Sequence, residues 1–86
     1  MKILKNSAYA MTLLDELSGK CSKLILSDVV TGAALLAASA HGGFINVGAN
    51  TGLMKNTEIA QKLNEEAKML LSKTMKLNDS ISQLML

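Results

Sequence analysis

The sequence predicts an all-α protein, a long antiparallel helical hairpin packed in a helical homo-oligomer. Three observations carry this expectation. The 86-residue chain has no proline, so nothing obliges a long helix to stop. Apolar residues recur at heptad spacing in both halves of the chain. Glycine and asparagine cluster between the halves, where a reversal of direction draws on them.

The first helix is expected over about residues 3–41. Ala10, Leu14, Leu17, Cys21 and Leu24 alternate four-residue and three-residue steps, and the series continues through Asp28, Thr31, Leu35 and Ala38. Gly19 and Gly32 interrupt it. Each costs about 1 kcal/mol relative to alanine inside a helix, so the arm reads as one helix or as two pieces with a kink or break near either glycine. Ala34, Ala38 and Gly42, with Ala33 and Ala37, place small residues four apart, a spacing that lets two backbones approach closely.

The reversal is expected over about residues 42–52, with Gly42, Gly43, Gly48 and Gly52 as its hinge and Asn46 and Asn50 beside them. Gly48 and Gly52 also match GxxxG, a weak signal where glycines are frequent. Phe44, Ile45 and Val47 would then sit at the tip of the hairpin. An apolar cluster there calls for a cover, either lipid or a neighbouring subunit.

The second helix is expected over about residues 56–85. Asn56 or Thr57 suits its N-cap, and Glu58 follows where the helix dipole favours an anion. Leu63, Leu70, Leu77 and Leu84 fall seven apart, and Ala60, Ala67, Thr74 and Ile81 fall three residues before each. This is the strongest pattern in the chain. With leucine at d, the a positions are mostly small, which disfavours a simple parallel leucine zipper. Ile59, Leu71 and Met85 widen the stripe and Met69 and Met75 extend it, so the helix should touch more than one neighbour. At 1.5 Å per residue the two arms would reach about 58 and 45 Å. Their expected assembly seam comprises Leu14, Leu17, Leu24, Leu63, Ala67, Leu70, Leu77, Ile81 and Leu84.

Composition narrows the functional classes. The length allows one domain, residues 1–86, with little core of its own. All nine basic residues are lysine, tryptophan is absent, and Tyr9 and Phe44 are the only aromatics, so a nucleic-acid partner is disfavoured. Cys21 and His41 are each single, which rules out a disulfide within the chain and a four-ligand zinc site from these two residue types. Cys21 reads as a small hydrophobe on the seam, or else as a thiol activated by Lys20 and Lys23. His41 reads as a structural residue meeting carbonyls at a helix end. Asp15 with Glu16, and Glu65 with Glu66, are adjacent pairs that point about 100° apart on a helix and read as solvated. No phosphate-cradling loop and no set of nucleophile, base and orienting group appears. The residues alone therefore predict no enzyme, no cofactor, no metal and no small-molecule substrate.

Three functions remain. The first is a structural subunit that self-assembles into a filament, tube or helical ring of high order. The second is a membrane-active protein, pore-forming or anchored, that inserts residues 29–54, with Ala34, Ala38, Phe44, Ile45 and Val47 facing lipid or packing closely. Length suits a span, but glycine and polar residues dilute it. The third is a helical adaptor with six methionines as its adaptable surface. Ala38, Ser39 and Ala40 resemble a leader cleavage site, but Asp15, Glu16 and Asp28 spoil the regions before it. The free thiol weakly favours a reducing compartment.

Overall fold

The computed structural model describes residues 1–85. They form three helices, α1 (Lys2–Ser18), α2 (Lys23–Thr51) and α3 (Thr57–Gln83), with no strand among the described residues. The all-α expectation holds. The first arm is divided near Gly19 rather than Gly32, and it folds back on itself at Gly19–Ser22, so three helices pack side by side where a hairpin of two arms was expected.

The contacts fix their directions. One cluster joins Met11 of α1 to Val29, Ala33 and Ala37 of α2 and Ile81 of α3. A second joins Leu4 to Ala40, Val47 and Ala67. As residue numbers fall along α1 they rise along α2 and fall again along α3, which makes an up-down-up bundle. Full burial of Leu4, Met11 and Ile81 contributes about 1.5–3 kcal/mol each. The Ser7 hydroxyl donates to Ser39 Oγ at 3.0 Å, tying α1 to α2, and Lys5 meets Glu66 at 3.4 Å between α1 and α3.

The expected reversal at 42–52 is instead the last third of α2. Gly32, Gly42, Gly43 and Gly48 all lie within the helix, and no described residue has a positive φ. Four glycines weaken an isolated helix by about 1 kcal/mol each, but packing along α2 against both neighbours overrides local propensity. Gly43 shows why one of them belongs there. A Cβ built on it would lie 3.0 Å from the Leu4 backbone nitrogen and 3.3 Å from Leu4 Cα, so α1 and α2 touch backbone to backbone at this level. Gly42 has open space where its side chain would be.

The true reversal is short. Gly52 caps α2 in right-handed conformation, and the Leu53 and Met54 N–H groups donate to Asn50 and Thr51 carbonyls at 3.1 and 3.2 Å. This tightened last turn directs the chain into Asn56, whose side-chain oxygen accepts from Ile59 N–H at 3.1 Å, the expected N-cap of α3. On α3 the buried residues are Ala60, Ala67, Thr74 and Ile81, the small half of the heptad. Leu63, Leu70 and Leu77 flank them half-buried, and Leu84 is exposed. Small residues at the contact let α3 lie close to α2, whose own inner face carries Ala33, Ala37, Ala40 and Gly43. The a positions of the α3 heptad are thus spent within the chain.

Candidate functional site

Two surfaces of α2 remain after the bundle is packed. One is an open groove of about 440 Å³ between α2 and α3, lined by Phe44, Gly48, Gln61, Asn64, Glu65 and Lys68. Its construction follows from helical spacing. Phe44 and Gly48 are one turn apart on α2, and the four α3 residues stand at i, i+3, i+4 and i+7, so they share one side of that helix. Gly48 has nothing within 4 Å of its missing side chain, so the groove is open at that point because the residue is glycine.

Thr51 anchors one of the lining residues, Asn64. Thr51 is buried, and its hydroxyl lies 2.7 Å from Asn64 Oδ1 and 3.2 Å from the Gly48 carbonyl. A hydroxyl has one proton, and in the shorter contact Thr51 donates it to Asn64 Oδ1. That bond turns the Asn64 amide nitrogen away from Thr51. The groove therefore offers a phenyl wall, two amides, one carboxylate and one ammonium. The four α3 side chains of this set are all exposed to solvent.

The second surface is the outer face of α2, opposite the core. Leu35 and Ile45 are 68% and 61% exposed, and Thr31, Ala34, Ala38, Gly42 and Ala49 between and beside them are exposed as well. This face carries no Asp, Glu, Lys or Arg between Asp28 and the end of the helix.

The sequence-predicted residues divide between core and surface. Ala67, Ile81 and Val47 are buried in the two clusters, and Leu14, Leu63, Leu70 and Leu77 are half-buried around them. Leu17, Leu24 and Leu84 are exposed, Leu24 to 89%. The expected first-arm series holds through Leu14, and the break at Gly19 shifts its phase, so that Thr31, Leu35 and Ala38 fall outside. Of the expected tip, Ile45 is exposed, Phe44 is half-buried in the groove wall and Val47 is in the core, all within α2. Of the expected hinge, only Gly52 lies at a turn. His41 is exposed in the middle of α2 rather than at a helix end. Cys21 is half-buried at the break, its thiol 3.7 Å from the Ser18 carbonyl. No group of three metal-ligating side chains occurs among the described residues.

The fold and the groove define a small all-helical module with an open groove between two of its helices. Comparison with known families is more specific. The family model for formiminotransferase-cyclodeaminase matches residues 1–69, and the chain belongs to that family. The matched span holds all of α1 and α2 and the part of α3 that lines the groove. No curated protein and no solved structure matches the chain.

The family is one of enzymes, and this overturns the non-enzymatic reading. The chain carries no phosphate loop or nucleophile turn to announce an enzyme. The groove residues Gln61, Asn64 and Lys68 carry no sequence signal of their own, and Glu65 reads only as solvated. A usable signal existed in their common helical side opposite Phe44 and Gly48, but it required knowing how α2 and α3 pair.

Proposed function

We propose that this chain is a helical module of a cyclodeaminase-type enzyme, working in an assembled state with substrate in the α2–α3 groove. The observation that supports this most is the family match over residues 1–69, which contains every residue of the groove. The family's name specifies the chemistry: a formimino group is transferred, and a ring closes with loss of ammonia. In the closure a neighbouring nitrogen bonds to the formimino carbon, the bond from that carbon to its terminal nitrogen breaks, and the nitrogen leaves as ammonia after gaining protons. The Lys68 ammonium supplies a proton to the departing nitrogen, and the Glu65 carboxylate accepts the one lost by the attacking nitrogen. Asn64 and Gln61 hold the polar atoms against the Phe44 ring. This reading includes a small-molecule substrate, where the residues by themselves implied none.

Self-assembly enters through the outer face of α2. A three-helix bundle with Leu24, Leu35, Ile45 and Leu53 exposed gains by covering them with protein.

The test measures ammonia release from a formimino-bearing amine by the assembled protein. Glu65→Gln and Lys68→Met should each lower the rate by about 10²–10⁴-fold, the usual contribution of a positioned acid or base. Gly48→Leu should block the groove while leaving the helical circular dichroism unchanged. Undiminished turnover in Gly48→Leu would overturn the groove assignment.

A second reading has its own support. α2 has 29 residues, its most apolar window has a mean hydropathy of 1.5, and 22% of that window is buried within the bundle. A bilayer would cover the same outer face if the bundle opened. Recovery of the protein with liposomes on flotation, with loss of the α1–α2 contact, would support this alternative.

A further inference from the structure

We infer that the last third of α2 is a flap over the α2–α3 groove, hinged at Gly42–Gly43 and latched to α3 by Thr51. This rests on the groove reading proposed above and adds a way into the groove. Its basis is that α2 is held unevenly along its length. From Val29 to Ala40 a residue is buried on every inner turn, at Val29, Ala33, Ala37 and Ala40. Beyond Gly43 only Val47 and Thr51 are buried in the helix, and from Gly48 to Ile59 Thr51 is the one buried residue.

The position of α1 accounts for the difference. Gly32 faces Leu14, the Ser7 hydroxyl donates to Ser39, and Gly43 faces Leu4, so the two helices run antiparallel in a steady register. On that register α1 starts, at Lys2, within a turn of Gly43. The end of α2 from Gly48 to Thr51 lies beyond it, with α3 as its neighbour.

The glycines divide the work of a hinge. Gly43 is clasped by the Leu4 backbone, 3.0 Å from where its Cβ would be, and forms the fixed side. Gly42 and Gly48 meet nothing within 4 Å, so no neighbour requires them to be glycine, and both weaken the helical form of the segment. Helices bend sharply at such small-residue pairs. What holds the segment closed is short: Val47 in the second core cluster, the half-buried Phe44 beside it, and the Thr51 hydroxyl 2.7 Å from Asn64 Oδ1. Opening withdraws Phe44 and Gly48 from the groove and leaves Gln61, Asn64, Glu65 and Lys68 in place on α3. A segment with so few buried apolar contacts opens more readily than the bundle unfolds.

Amide hydrogen exchange of the whole protein, without ligand, tests the flap by comparing two stretches of α2. Residues 46–51 should exchange at least about 100-fold faster than residues 33–40, because they open locally. Thr51→Val keeps the side-chain shape and removes the latch, and should speed exchange at 46–51 about fivefold. Gly48→Ala should slow it about fivefold. Residues 33–40 should be unchanged in both variants. Equal rates in the two stretches, or a Thr51→Val effect spread equally over both, would overturn the flap. Either result would leave the groove reading standing, because exchange is measured without substrate and the groove is judged by turnover of Gly48→Leu.

Discussion

The two faces of α2 share a vocabulary of residues and meet opposite surroundings. The inner face carries Val29, Ala33, Ala37, Ala40, Gly43 and Val47, all buried against α1 and α3. The outer face carries Leu35, Ala38, Gly42, Ile45 and Ala49, all exposed. Both are apolar and rich in small residues at three-residue and four-residue steps. What separates them is the phase each keeps with its neighbours, and the break at Gly19 sets that phase. Residue type alone therefore does not say which side of an apolar helix is core.

Substitutions break or sharpen this contrast. The largest effect belongs to the core that the inner face joins: Ile81→Ala should destabilise by about 2–5 kcal/mol, measured by urea denaturation, because Ile81 is fully buried beside Val29 and Ala33. The adjacent glycines come next and should respond with opposite signs. Gly43→Val drives a side chain into the Leu4 backbone and should cost about 1–3 kcal/mol. Gly42→Ala meets nothing and should raise stability by up to about 1 kcal/mol through helix propensity. Equal effects at 42 and 43 would contradict the assignment of faces. Asn56→Ala removes the α3 cap and should cost about 1 kcal/mol, read as a lower melting temperature. The smallest change is expected for Lys5→Ala, since its pair with Glu66 is half exposed and such pairs contribute about 0–1 kcal/mol.

Much of α3 was legible from its residues. The heptad, the Asn56 cap and the small a positions depend on local sequence, and each lies where spacing places it. The break near Gly19 was one of two readings, and Gly32 looked equally suitable. What decided between them was tertiary. Gly32 sits inside α2 with Leu14 Cδ1 3.5 Å from where its side chain would be, in ordinary contact with α1. The misplaced reversal has the same origin. Glycines at 42, 43 and 48 signal a turn when read locally, yet Gly43 is there for the approach of α1 and Gly48 opens the groove. The groove itself was illegible, because its two walls come from helices whose pairing the sequence does not print. The enzyme family was illegible too, since the chain carries no phosphate loop and no nucleophile set that would mark one.

The central claim is that the inner face of α2 builds the bundle while the outer face stays clear of it. Urea denaturation of Ala33→Glu and Ala38→Glu protein, followed by circular dichroism, tests it most directly. The account predicts that Ala33→Glu, with its charge placed in the core, loses the helical fold, and that Ala38→Glu stays within about 0.5 kcal/mol of wild type. Equal loss of stability in the two variants would contradict it.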